Sequence, residues 1–199
     1  TRNLEKSLAK TGIRFKWTNP LGFMLWQYAR RNHKKIIVID DRVCYLGGIN
    51  FSDHNFAWHD MMLRLEDETL AGFLKQDFLK TWTGEHQSVS QRFSGVEIFI
   101  LDGQNNRCFF AYLFEKIDSA RKSILIESPY VSFPFYEKLH KAKKRGIKID
   151  IISPKYNNKK FMQTYTQWEA IRSGLYLWHY RGEMLHLKAM LIDDETLII

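Results

Sequence analysis

Apolar and polar positions along the chain fall into two kinds of segment that alternate. Short β-branched runs read as strands: Lys35–Ile39, Val96–Ile100, Ser123–Glu127, Ile147–Ile152 and Ala189–Ile192. Between them lie longer amphipathic stretches. From Thr69 the apolar residues Leu70, Phe73, Leu74, Phe78 and Trp82 recur at helical spacing, and similar patterns cover Phe109–Ala120, Phe135–Lys144 and Phe161–Ser173, the last closed by Gly174. Strands alternating with helices of this length predict an α/β fold with a mixed, largely parallel sheet covered by helices. No low-complexity linker divides the chain. The polar stretch from Thr83 to Gly95 is the expected boundary between two halves, residues 1–85 and 95–199.

Composition adds little to that picture but excludes several alternatives. With 199 residues, 45% hydrophobic and 26% charged, the chain is neither disordered nor collagen-like nor a disulfide-stapled miniprotein. No stretch approaches the roughly 18 apolar residues of a membrane span, and no signal peptide is present. Cys44 and Cys108 have no metal-type spacing and read as reduced thiols of a cytoplasmic setting, Cys44 as a core residue on an apolar strand. The chain opens on Thr1 without an initiator Met and closes inside the apolar run Leu197–Ile199, so it reads as a fragment truncated at both ends.

Charge narrows the partner. The formal net charge is +8, clustered in Arg30–Lys35, in Lys138–Lys148, and at Lys155, Lys159 and Lys160. Such an excess suits phosphate-rich partners, an anionic membrane surface or nucleic acid. For Lys138–Lys148 the simpler expectation is a solvated helix face.

An internal repeat supplies the chemistry. His33-Lys34-Lys35-Ile36-Ile37-Val38-Ile39-Asp40 has the form His-x-Lys-x4-Asp, and His186-Leu187-Lys188-Ala189-Met190-Leu191-Ile192-Asp193 repeats it. Each copy lies on a strand-like run and is followed by a second acid, Asp41 or Asp194, that marks a turn. Along a strand, residues i and i+2 share a face, so His33 points with Lys35 and His186 with Lys188. An imidazole beside an ammonium is a poor core pair but a good phosphate site. The lysine holds a phosphoryl oxygen, while the imidazole attacks phosphorus or carries a proton. Two such strands meeting face to face would set a histidine on each side of one phosphorus, one as nucleophile and the other protonating the leaving alcohol. That chemistry needs no metal or cofactor. Asp40 and Asp193 have the opposite parity and are expected to serve at the strand ends as structural or hydrogen-bonding groups.

These motifs resemble those of the phospholipase D superfamily. After Asp40 the chain continues as Gly47-Gly48-Ile49-Asn50, similar to the family's extended first motif. With Trp58-His59-Asp60, Ser128-Pro129-Tyr130 and Arg145-Gly146-Ile147-Lys148-Ile149, it resembles the cardiolipin synthase-like branch. The resemblance implies a phospholipase D-like fold with a pseudo-two-fold active site and a covalent phosphohistidine intermediate. It implies His33, Lys35, Asp40, His186, Lys188 and Asp193 as motif residues, with His33 the nucleophile and His186 the acid and then the base. The residues themselves are symmetric between the two histidines. Lys35 and Lys188 would bind phosphoryl oxygens, with Asn50 as a further donor and Gly48 at the family's small-residue position. Asp60 is the candidate to hold the His33 tautomer, its alternative being a surface acid ahead of the Met61–Leu65 strand. His54, His59, His86, His140 and His179 read as structural or surface residues. Trp26, Trp58 and Trp82 fit core packing better than a lipid interface.

The resemblance thus implies a phosphatidyltransferase of phospholipid biosynthesis acting on an anionic, phosphatidylglycerol-like phospholipid. Expected with it is a location on the cytoplasmic side of a membrane, with membrane segments upstream and no obligate protein partner. With water as acceptor the same site would be a phospholipase D. A phosphodiesterase acting on nucleic acid and a silent phosphate-binding scaffold are the competing readings. Two intact motifs in one chain count against both, since nuclease members often carry one motif and dimerise.

Overall fold

The computed structural model describes residues 2–18, 32–101 and 106–199; Trp26, Arg30 and Arg31 lie outside the described residues. Helix α1 spans Arg2–Lys10. Strands β1 (Ile36–Ile39), β2 (Val43–Gly47) and β3 (Met62–Glu66) form one sheet in that order, followed by α2 (Glu68–Thr83) and the β4–β5 hairpin (Val89–Phe93, Val96–Ile100). Then come α3 (Arg107–Ser119), β6 (Ser123–Glu127), α4 (Phe135–Lys144), β7 (Lys148–Pro154), α5 (Lys160–Arg172), β8 (Leu177–Tyr180), β9 (Ala189–Ile192) and β10 (Thr196–Ile198). All five strands and all four helices expected from the periodicity are present.

Residue contacts divide the chain into two compact units. The first contains the described residues of Thr1–Lys34, Val38–Cys44 and Glu66–Asn106. Its helix α2 starts where the Asp67 carboxylate accepts the Leu70 N–H at 2.9 Å, and it stops at Gly84, whose φ of 93° returns its N–H to the Lys80 and Thr81 carbonyls. The β4–β5 hairpin packs on this helix through Phe73 and Phe93, ring centres 5.6 Å apart. Lys34, at the variable position of the first motif, is ion-paired at 2.6 Å with Asp77, which α2 buries.

The second unit contains Lys35–Ile37, Tyr45–Leu65 and Arg107–Ile199. Its five-stranded sheet runs β10-β9-β6-β7-β8. It is mixed: β6, β7 and β8 are parallel, as βαβ crossovers through α4 and α5 require, while β9 and β10 join as antiparallel strands. Ile124 and Ile126 of β6 and Ile151 of β7 bury their side chains with Tyr136 and Leu139 of α4, Ile117 of α3 and Met190 and Ile192 of β9. The Tyr136 hydroxyl, fully buried, donates to the Thr166 carbonyl at 3.2 Å, and burial pushes its pKa up. On α4, Lys141 pairs with Glu137 at 2.6 Å and Lys138 pairs with Asp118, so the Lys138–Lys148 run includes a solvated helix face with local acid partners.

The two motif strands end in the same device. Asp40 and Asp41 take φ of 50° and 54°, and Asp193 and Asp194 take 55° and 62°. Two successive left-handed residues are what a tight hairpin turn of the primed type requires, and aspartate tolerates them. Each turn closes with the same hydrogen bond, Arg42 N–H to the Ile39 carbonyl and Glu195 N–H to the Ile192 carbonyl. Antiparallel pairing of β9 with β6 then fixes the functional end. Glu127 sits opposite Ala189, so the residues leading into β9 lie at the carboxyl ends of the parallel strands. Open α/β sheets bind ligands at that edge.

Candidate active site

His186 is the centre of the site. Its segment is clamped by the parallel bridge between His59 and Leu185, by the His59 N–H on the Met184 carbonyl, and by the His186 and Leu187 N–H groups on the His59 carbonyl at 2.8 and 3.0 Å. The residue after His59 is Asp60, and the clamp brings its carboxylate to the ring: Oδ2 lies 2.7 Å from Nδ1 of His186. Side-chain exposure is 8% for His186 and 3% for Asp60, so water screens this pair poorly. The carboxylate can only accept, so the hydrogen bond assigns the ring proton to Nδ1 and leaves Nε2 toward Lys188. Asp60 was expected to hold His33; in the structure its carboxylate meets His186. The bridge between residue 59 and residue 185, which sequence spacing does not show, decides the partner.

Lys188 completes the motif from the next same-face position. Its Nζ lies 3.2 Å from Nε2 and 3.1 Å from Nδ1 of His186 and also donates to the His186 carbonyl. With Nδ1–H committed to Asp60, the Nε2 lone pair is the ring acceptor open to it. The residue keeps contact with solvent, yet desolvation of the ammonium lowers its pKa from 10.5 to about 8, against the pull of Asp60 and with the like charge of Lys35 adding to the decrease. The two motif lysines therefore act on one another within the second unit.

Tyr130 and Trp58 flank the imidazole. The Trp58 ring centre lies 5.1 Å from that of His186, and Tyr130 meets it edge-on at 6.3 Å while Lys188 sits 5.9 Å above the Tyr130 ring. The Tyr130 hydroxyl donates to Asn158 at 2.6 Å, and desolvation keeps its pKa raised. Trp58 is thus half-buried against a histidine. Beside it His59 pairs with Glu127 at 3.2 Å and packs on Tyr180, while His140 bonds the Ser173 carbonyl at 2.7 Å as a structural residue. Sequence reading missed Glu127 and did not single out Tyr130, although Ser128-Pro129-Tyr130 directly follows a strand that could have been extended to the pocket edge.

Gly48 explains itself by space. A Cβ there would stand 2.3 Å from Asp60 Oδ1 and 2.8 Å from Oδ2. One at Gly47 would meet the Met61 carbonyl oxygen at 2.3 Å. The Gly48 N–H bonds that same carbonyl at 3.0 Å, which holds the glycine pair flat against the segment carrying Asp60. Gly48→Ala is therefore expected to push the carboxylate off His186 and lower kcat by about 10²-fold, with KM little changed, in steady-state assays.

Asn50 is half-buried, and its carbonyl accepts the Ser52 N–H at 2.9 Å in the turn after Gly48. Asp40 and Asp193 stand at the opposite ends of β1 and β9 from the His–Lys pairs. Asp193 accepts the N–H groups of Arg121, Lys122 and Ser123 at 2.7 to 3.0 Å, and these bonds hold its carboxyl below the usual range. It pins the start of β6 and does not reach the reacting groups. His33 is exposed just ahead of β1 and belongs to the first unit. Cys44 is fully buried, with its thiol pKa raised by that burial. Among the described residues no helix is long and apolar enough to cross a membrane.

The family model described as cardiolipin synthase, PLD-like domain, matches residues 1–82 and 113–199. A cardiolipin synthase of Staphylococcus aureus is 30% identical over 192 residues, which cover 83% of this chain and 38% of the relative, so the chain spans well under half of that protein's length. In fold, the chain is similar to polyphosphate kinase from Porphyromonas gingivalis, with a TM-score of 0.63 at 14% identity over 98% of this chain and 32% of the other. It is also similar to phosphatidylserine synthase from Haemophilus influenzae, with a TM-score of 0.57 at 15% identity over 81% and 51%.

Proposed function

The chain belongs to the cardiolipin synthase, phospholipase D-like domain family, and from that premise we propose that it is the catalytic part of a phosphatidyltransferase of phospholipid biosynthesis. The observation that carries the reading is the cluster of His186, Lys188 and Asp60: a tautomer-fixed imidazole beside an ammonium whose pKa burial lowers. An ammonium beside a histidine suits the negative charge that builds on the phosphoryl oxygens in the transition state of phosphodiester transfer.

In the proposed cycle the imidazole of His33 attacks the phosphorus of a phosphatidylglycerol-like donor. An N–P bond forms as the P–O bond to the glycerol headgroup breaks, and protonated His186 gives its Nε2 proton to the leaving alkoxide. The Asp60 carboxylate holds Nδ1–H throughout and offsets the charge of the imidazolium. A second lipid hydroxyl then gives its proton back to Nε2 and attacks phosphorus, releasing His33. Lys35 and Lys188 hold the non-bridging oxygens, and Asn50 is a further donor. The two halves, each with one motif, would supply one histidine apiece.

Lys188 binds an anion only while protonated. Its lowered pKa therefore predicts an alkaline limb, on which kcat/KM falls as pH rises through about 8. A Lys188→Arg variant, which cannot deprotonate in this range, is expected to be slower and to lose that limb. A pH–rate profile of both proteins checks this.

The function itself is tested with the protein in detergent micelles containing phosphatidylglycerol, the products being separated by lipid chromatography. Cardiolipin and free glycerol are expected; both should vanish in His33→Ala and fall by about 10²–10⁴-fold in His186→Asn. Phosphatidic acid as the main product would make water the acceptor. Cleavage of DNA with no lipid turnover would replace the reading by a nuclease.

A further inference from the structure

Helix α5 is inside out. Its core-facing residues are Thr166, Glu169 and Ala170, followed by Ser173, all buried and mostly polar. Phe161, Trp168 and Ile171 instead face solvent, 77%, 57% and 80% exposed. Positions 161, 164, 168 and 171 follow helical spacing, so these side chains form one outward stripe. The stripe extends sideways. Tyr165 stacks on Phe161 at 6.3 Å, and its hydroxyl accepts the N–H of the exposed Phe133 at 3.0 Å. A helix folded on a core normally turns its apolar stripe inward.

Charge says what the stripe faces. Lys155, Lys159 and Lys160 stand at its N-terminal end, and the Arg172 guanidinium lies 5.4 Å from the Trp168 ring at the other end. The helix has one acid, Glu169, which points inward and is ion-paired with Arg172 at 2.6 Å. Exposed aromatic and aliphatic side chains between cationic ends, with no outward acid on the helix, complement the surface of an anionic bilayer. The patch is also joined to the site. Lys159 Nζ lies 5.3 Å over the Tyr130 ring, the same ring that meets His186 and Lys188.

We propose that α5 docks the protein on the surface of a bilayer rich in anionic phospholipid. Phe161, Trp168 and Ile171 enter the acyl boundary, Lys159 and Lys160 sit at lipid phosphates, and Tyr130 leads from there to His186. The purpose of this docking rests on the lipid-enzyme reading, while its test does not. The measurement is co-sedimentation with vesicles of phosphatidylglycerol and phosphatidylcholine in equal parts, and with phosphatidylcholine alone. The triple variant Phe161→Ser, Trp168→Ser, Ile171→Ser should need about tenfold more of the mixed lipid for half-binding. Lys159→Gln with Lys160→Gln should weaken binding to the mixed vesicles and leave binding to phosphatidylcholine unchanged, and it serves as the independent arm should the triple variant melt early. Turnover of a short-chain phosphatidylglycerol dissolved as monomer should be the same in the triple variant as in the parent. Unchanged vesicle binding in both variants overturns the proposal. So does a triple variant that binds lipid normally but changes from dimer to monomer in light scattering, which would give the face to a second copy. A parent that binds vesicles through these residues yet turns over no short-chain lipid would support the docking and count against the enzyme.

Discussion

Exchanging His186 for asparagine is expected to lower steady-state phosphatidyl transfer by about 10²–10⁴-fold, the range that general acid–base catalysis supplies. Asparagine is the instructive replacement because its amide N–H can still donate to Asp60, which sits 2.7 Å from the ring and is 3% exposed. An alanine there would strand a buried carboxylate and confuse lost chemistry with lost folding. The loss should depend on the leaving group. A donor that expels p-nitrophenolate needs no proton in the first half-reaction, so the first step should be slowed far less than with glycerol as leaving group. Thermal melting and steady-state rates on the two donors check both halves of the expectation.

Asp60→Asn is expected to cost about 10²–10³-fold in kcat with KM nearly unchanged. The amide can still meet Nδ1–H, so geometry is retained while the counter-charge to the imidazolium disappears. Lys188 loses the same partner, because the Asp60 carboxylate is the group that opposes the fall in its pKa. The alkaline limb of the pH–rate profile should accordingly move below about 8. A variant with wild-type kcat, or one whose alkaline limb stays in place, would mean that Asp60 serves packing alone.

Much of this was readable from residue order, and the parts that were not share a cause. Helix α4 falls on the expected residues, Phe135–Lys144, because its apolar period is local. The motif strands were legible for the same reason, with the paired acids marking their turns. Strand β4 was not, since Val89–Phe93 is polar and mostly exposed and becomes a strand by pairing with β5. The pairing of Asp60 with His186 spans 126 positions and depends on a backbone bridge, so proximity in sequence did not show it. Gly48 was visible as a small residue, whereas its reason, the Asp60 oxygen 2.3 Å from where a Cβ would stand, exists only in three dimensions. In α5 the period identified a helix, but periodicity does not say which face the core takes.

The most direct test of the mechanism is the fate of His186→Asn mixed with a p-nitrophenyl phosphodiester analogue of phosphatidylglycerol and quenched within the first turnover. A burst of p-nitrophenolate equal to the enzyme concentration is predicted, with the phosphatidyl group recovered by peptide mass spectrometry on the imidazole of His33 and absent from His33→Ala. Recovery of the adduct on His186 of the unmodified protein, or steady turnover without any covalent species, would contradict the account.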